Sequence, residues 1–301
     1  MDITSAEKFS FREILNKGGK RHGNYVLSRW RYRGLLDFLC EHVPDSRRGR
    51  VVDLGCGGGV ISRGLATVFN EVIGVDVNPD NVELARSIAR DAGIANVSYR
   101  GAHASRLPIE DASVDLVVVN GVLEWVGVND DGNSPRQMQL RVLREVGRIL
   151  RPGGTLYLAI ENRWHPGTLL RDPHSGLRWV NALPRPLANM VSHRKANRPF
   201  QTWIYGWRSL RQLVAEAGFS VIKPYVPFTG YQFPRFYVAA HSREAALSDI
   251  DRIDVMQVTE VLEEAGRPMN VPKAARTLRR RAKWGALRLL AHDLVLVCTK
   301  P

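Results

Sequence analysis

From Arg50 to Ile160, short apolar runs alternate with segments whose apolar positions recur every three or four residues. RVVDL (50–54), EVIGVDV (71–77), NVSYR (96–100), DLVVVN (115–120) and TLYLAI (155–160) read as strands. Between them, Ile61, Leu65, Val68 and Phe69 fall at helical spacing, as do Val82, Ala85, Ile88 and Ala89. Asn78 is placed to cap the second of these helices, and Pro79 suits its first turn. A third helix near 136–150 gathers Leu143, Val146, Ile149 and Leu150 on one face, and RPGG (151–154) ends it. SVIKPYV (220–226) and LVLVC (294–298) read as two later strands. Strands this rich in Val, Ile and Leu, separated by amphipathic helices, predict an α/β fold. The expectation is a seven-stranded, mostly parallel sheet with helices on both faces.

Three segments fall outside that alternation. Residues 1–48 read as an N-terminal helical extension or lid. Trp30, Leu35, Leu36 and Leu39 suggest a helix over Tyr25–Leu39, and Pro44 with the run Asp45–Gly49 breaks the chain. Within the main domain, 49–301, the stretches 161–205 and 228–292 have little strand–helix alternation and read as insertions shaping a substrate site. AspAspGlyAsn at 130–133 starts like a calcium loop, but no Glu follows at the required spacing, so it reads as a turn.

Composition adds limits. The 301 residues are 44% hydrophobic and 24% charged, ordinary globular usage. No run approaches the roughly 18 apolar residues of a membrane-spanning helix. The first 20 residues lack the apolar core of a secretory leader. Cys40, Cys56 and Cys298 are far apart, without metal-ligand spacing, which fits a reducing cytoplasm; no metal site is read from the sequence. The net charge of +13 admits anionic small molecules, nucleic acid or a peripheral membrane contact, and is equally explained by an Arg-rich surface.

The strongest chemical signal is VVDLGCGGG (51–59). A strand runs straight into glycines, where a ligand can press against the backbone and a helix N-terminus offers free N–H groups. Asp76 ends the next strand, 23 residues after Asp53, where a carboxylate can accept both hydroxyls of a ribose. These windows, with GVDVNPDNVELAR (74–86), RLPIEDASVDLVVVNGVLEWV (106–126) and VLREVGRILRPGGTLYLAIENR (142–163), resemble the class I S-adenosylmethionine (SAM)-dependent methyltransferase family. The resemblance covers roughly residues 50–163. It implies a Rossmann-like fold and SAM as cofactor. By that resemblance Asp53, Gly55 and Cys56 shape the turn and its amine site, and Gly57 approaches the methionine moiety. Asp76 holds the ribose and Val77 packs on adenine. Ala104 offers its backbone N–H to adenine, and Asn120 helps hold the amine through its backbone. His103 stands where the family often has an acidic residue, a departure from the pattern.

The acceptor is sought beyond the fifth strand, since ligands of open α/β sheets sit past the carboxyl ends of the strands. Glu161 lies there, followed by RDPHSG (171–176). A hydroxyl acceptor needs a base, and His174 with Asp172 two residues away is the first candidate; Glu161 is the alternative, with His165 and His22 behind them. Tyr225, Phe228, Tyr231, Phe233, Phe236 and Tyr237 could stack on a ring or serve as core. Arg279–Lys283 could meet phosphates or a membrane surface, or be a solvated helix. AIENR, the DPHSG loop and the Tyr/Pro-rich segment look similar to methyltransferase domains associated with bacterial glycan biosynthesis. O-methylation of a sugar, glycan or glycosylated hydroxyl is therefore the first expectation. A small natural product comes next and RNA is less favoured. A SAM-binding regulatory subunit is the non-enzyme alternative.

Overall fold

The computed structural model describes residues 28–127, 134–200, 202–264 and 269–301. The first 27 residues of the expected extension, with His22, and the turn at 130–133 lie outside the described residues. In chain order the elements are α1 (Arg33–His42), β1 (Arg50–Leu54), α2 (Val60–Leu65), β2 (Glu71–Asp76), α3 (Pro79–Asp91), β3 (Val97–Gly101), β4 (Val114–Asn120), α4 (Pro135–Ile149) and β5 (Leu150–Glu161). Then come α5 (Pro166–Leu170), α6 (Arg185–Ala196), α7 (Trp207–Glu216), β6 (Ser220–Phe228), β7 (Phe236–Ala239), α8 (Arg243–Asp251), α9 (Val255–Glu264), α10 (Val271–Lys283), α11 (Leu287–Leu290) and β8 (Asp293–Thr299).

The sheet has eight strands in the order β3-β2-β1-β4-β5-β8-β6-β7. The first five are parallel neighbours, while β8 runs antiparallel between β5 and β6. The expected seven strands are all present, and β7 is an addition. It pairs antiparallel with β6, Tyr225 opposite Ala239 through Phe228 opposite Phe236. Four residues directly after Pro234 are too few to show a period, so the segment reads as loop from sequence. RPGG also behaves differently from expectation: β5 runs through it from Leu150, because the Gly153 N–H and Gly154 carbonyl pair with Lys300 from the far end of the chain.

Alternation within each strand builds two cores. Val52, Val117, Leu156 and Leu296 face α4 and α7, whereas Val51, Leu116, Tyr157 and Val295 face α1 and α2. This is the period-two signature of a sheet covered on both faces. The helix starts follow local chemistry. Asn78 Oδ1 accepts from the Asp80 N–H at 2.9 Å, and Ser134 with Gln137 forms a reciprocal capping box. In the 228–292 stretch, α8, α9, α10 and α11 bury a third cluster against β6 and β7, including Val226, Phe228, Val238 and Leu278.

Candidate functional site

The turn after β1 is tied to β2 as well as to itself, where the Gly59 N–H donates to the Cys56 carbonyl at 2.9 Å. The N–H groups of Gly55 and Cys56 both donate to the Val75 carbonyl, at 2.7 and 3.0 Å. Gly55 has φ +73°, and a Cβ there would lie 2.4 Å from Val122 Cγ2. Gly57, at φ +51°, is the opposite case: a Cβ there would meet nothing within 4 Å, so the space above it is open to a ligand.

Asp53 is buried and accepts from Ser62 Oγ at 2.6 Å, so its carboxylate turns inward to the start of α2. Burial pushes its carboxyl up to about 6, against the opposing pull of Ser62 and Arg31. Asp53 therefore orders the turn; its side chain is committed to the protein. Cys56 likewise packs inward on Val82, Ala85 and Tyr99, and burial raises its thiol far above the usual range. Only its backbone belongs to the loop.

Asp76 stands at the carboxyl end of β2 and accepts from Gly57 N (2.9 Å), Asn78 N (2.9 Å) and Asn81 Nδ2 (3.2 Å). These donors hold the carboxylate at the rim of the glycine turn. Beside it Val77 is 67% exposed, an apolar surface without a protein partner of matching size. His103 is exposed and turns to Ser105 Oγ at 2.8 Å, while Ala104 is half-buried. Asn120, at the end of β4, keeps a buried Oδ1 without a hydrogen-bond partner. Open space at Gly57, an orphan acceptor at Asn120 and the exposed Val77 fit an amino-acid moiety and a nucleoside laid across the ends of β1, β4 and β2.

The acceptor side adjoins this loop through direct contacts. Val122 abuts Gly55, and the Tyr231 ring lies where a Cβ on Gly121 would come within 2.4 Å of it. Tyr231 donates its hydroxyl to Glu161 Oε1 at 2.7 Å. His174 Nε2 lies 3.6 Å from that same oxygen, and its Nδ1 lies 3.9 Å from Asp172 Oδ1. The Trp125 ring meets His174 edge-on at 4.7 Å. The structure thus gathers the three residues singled out from sequence, Glu161, Asp172 and His174, at the carboxyl ends of β4 and β5. Burial opposes ionisation of Asp172, but the His174 ring and hydrogen bonds from Ser175 and Asn181 prevail and hold its carboxyl down at about 2.

Sequence reasoning missed Glu124. It is fully buried in the turn after β4, and neither carboxylate oxygen has a hydrogen-bond partner among the described residues. Burial, then the neighbouring Glu161, pushes its carboxyl well above the usual range. The available signal was its position just past a strand end. Tyr231 was visible only as one aromatic among six. Of the others, Tyr225 bonds His42, and Tyr237 bonds Tyr157 within the α1 core, so they are packing residues. His165 does not join the cluster. Its ring meets His292 at 4.8 Å, and burial, with His292 and Arg281, lowers it to about 4.

A cavity of about 650 Å³ is lined by Glu161 and Tyr231. Val226, Phe228 and Leu278 give it an apolar wall, and Lys273, Arg281 and His292 stand along it. The basic run on α10 is partly committed: Arg279 pairs with Asp251, Arg280 lies over Trp284 at 4.4 Å, and Arg281 donates to the Leu290 carbonyl. Among the described residues no helix is long and apolar enough to cross a membrane.

Residues 52–158 match the methyltransferase domain family. The chain is 32% identical over 210 residues to a ubiquinone biosynthesis O-methyltransferase of Rhizobium rhizogenes (strain K84 / ATCC BAA-868), covering 66% of this chain and 80% of that one. It is 28% identical over 212 residues to the protein of the same description from Sinorhizobium fredii (strain NBRC 101917 / NGR234), covering 67% and 81%. Among solved structures it resembles Haemonchus contortus phosphoethanolamine N-methyltransferase 2 in complex with S-adenosyl-L-methionine, with a TM-score of 0.52 at 16% identity over 97% of this chain and 60% of that one. At that identity the likeness concerns the fold.

Proposed function

The chain belongs to the class I SAM-dependent methyltransferase family, and from that premise we propose that it methylates a hydroxyl oxygen of a small acceptor seated against Glu161 and Tyr231. It is an enzyme, and SAM is its cofactor. When bound, SAM supplies an electrophilic methyl carbon on a sulfonium. The observation that carries the proposal is the convergence of Glu161, His174 and Asp172, with Glu161 also lining the cavity.

The residues divide the work. Gly57 and Asn120 would receive the amino-acid moiety, Asp76 the ribose, and Val77 the adenine face. Asp53 supports the turn from beneath through Ser62. Tyr231 fixes Glu161, and Asp172 faces His174, so the Glu161–His174 pair is held at the point where a hydroxyl must lose its proton. The Glu161–His174 pair would take the hydroxyl proton, while bound SAM would supply the methyl group and leave as S-adenosylhomocysteine. Alignment and exclusion of water supply the larger part of such a barrier reduction. The relatives described as O-methyltransferases support oxygen as the receiving atom.

The apolar wall with Lys273, Arg281 and His292 along it favours an acceptor with an apolar body and a negative charge. A sugar, glycan or glycosylated hydroxyl is the second reading, favoured by Trp125, whose ring is about half exposed (49%) beside His174 and could stack on a pyranose.

The test joins calorimetric titration of SAM and S-adenosylhomocysteine to a methyl-transfer screen over phenols, acidic amphiphiles, sugars and glycosides. We expect saturable SAM binding and transfer to at least one hydroxyl. His174→Ala should cut kcat by roughly 10²–10⁴ while leaving SAM affinity unchanged. Full turnover in that variant removes His174 from the chemistry. Tight SAM binding with no transfer to any hydroxyl points instead to a regulatory subunit.

A further inference from the structure

Glu124 and Glu161, clustered with His174, keep three buried carboxylate oxygens without a hydrogen-bond partner among the described residues: both of Glu124 and Oε2 of Glu161. Glu124 has no exposed surface and Glu161 is 6% exposed. One ligand-capable atom from each of Glu124, Glu161 and His174 lies within 4.8 Å of the other two. The three come from separate places in the fold: the turn after β4, the end of β5 and the loop after α5. Tyr231 donates to Oε1 of Glu161, which His174 Nε2 approaches at 3.6 Å, and Oε2 has no hydrogen-bond partner among the described residues.

Two adjacent buried carboxylates with no cation are strongly destabilising unless something neutralises them. A proton shared between Glu124 and Glu161 would pair one donor with one acceptor. It would leave an oxygen of Glu124 still orphaned. A divalent cation could take an atom from each of the three side chains at once.

We propose that Glu124, Glu161 and His174 bind a divalent transition-metal cation at the acceptor end of the site. Two carboxylates and an imidazole suit Zn²⁺, Mn²⁺ or Fe²⁺, whereas an all-oxygen set would suit Mg²⁺ or Ca²⁺. Bonds of about 2.0–2.2 Å in a tetrahedral arrangement place ligand atoms roughly 3.3–3.6 Å apart, so the side chains need to close by up to about 1.5 Å. Asp172 faces the His174 ring at 3.9 Å, the position of an outer carboxylate that fixes a ligating imidazole. Three protein ligands leave coordination positions open, as in catalytic sites and unlike structural ones. Glu161 also lines the acceptor cavity, so an open position there would take the acceptor's hydroxyl oxygen and acidify it, its proton leaving to solvent. This role rests on the hydroxyl-acceptor reading above; the cation site itself does not. In it His174 serves as a ligand.

The experiment uses the full chain, stripped with a chelator and titrated calorimetrically with Mn²⁺ and, separately, Zn²⁺, with neither SAM nor acceptor present. We expect one cation per chain at micromolar affinity, weakened at least tenfold by Glu124→Gln and by His174→Ala. Both variants should keep wild-type SAM affinity, which shows that they fold. No saturable uptake by the wild type, or equal uptake by wild type and both variants, overturns the proposal. In a parallel transfer assay, activity lost on chelation and restored by the cation supports the catalytic role. Transfer that survives complete chelation overturns that role and leaves hydroxyl methylation standing. A bound cation with no transfer to any hydroxyl does the reverse.

Discussion

His165 and His174 sit nine residues apart on the same insertion, yet their surroundings assign them different work. His174 faces two carboxylates, whereas His165 meets His292 and Arg281, with Asp293 beyond. Burial and these two cationic neighbours lower His165 to about 4, and Asp293 opposes them. His292 is pulled the other way, chiefly by its hydrogen bond to Asp293 at 2.6 Å. A histidine with a lowered folded pKa binds fewer protons folded than unfolded, so it contributes instability as pH falls from about 6.5 toward 4. His165→Gln should remove that loss. Denaturant unfolding at pH 7 and pH 4.5 should show the wild type losing about 1–2 kcal/mol more than the variant, a figure reduced for partial exposure. Equal losses would show that His165 does not titrate as its surroundings require. From sequence what set His174 apart was Asp172 two residues before it, and the structure places the two side chains 3.9 Å apart. Glu124 had no comparable local mark, because what distinguishes it is burial against Glu161, a residue 37 positions later.

At the scale of elements, the glycine turn and its strand were legible because each requirement is local. A strand ends, the backbone must take positive φ, and a helix begins. Gly55 and Gly57 share that conformation but separate in what they face. Gly55→Ala would force a Cβ to 2.4 Å from Val122, so thermal unfolding should show a loss of about 2 kcal/mol or more. Gly57→Ala meets no protein atom within 4 Å, so its stability cost should stay near the backbone contribution of about 1–2 kcal/mol. SAM affinity should fall in Gly57→Ala all the same, because the new methyl occupies ligand space. Undiminished SAM binding by Gly57→Ala would move the cofactor away from this turn. Strand β7 and the start of β5 were illegible for the opposite reason. β7 is too short to show a period and takes its place by pairing with β6, and the start of β5 is held by Lys300 from the far end of the chain.

At the scale of the molecule, the net charge of +13 is too general to name a partner, but the fold gives part of it a place. Lys273 and Arg281 reach the acceptor cavity from α10, and Arg281 also holds the Leu290 carbonyl. Lys273 is thus the better test of an anionic acceptor. Lys273→Glu should raise KM roughly threefold to tenfold for a charged acceptor, with kcat and the KM of a neutral analogue little changed. Added salt should raise the wild-type KM and affect the variant less. A KM unaffected by both the substitution and salt would assign this charge to surface solubility alone.

The sequence by itself determined the α/β class, seven of the eight strands, the glycine turn with Asp76, and the candidacy of Glu161, Asp172 and His174. All of these rest on short-range rules: hydrophobic period, turn chemistry and spacing along a few residues. Tertiary structure alone decided that Asp53 and Cys56 turn inward. It also brought Glu124 to Glu161 and His174, made most of the aromatic loop core, and stood four helices over β6 and β7, of which α10 walls a cavity. Those facts depend on which distant segments exclude water from one another, and no local pattern carries that information.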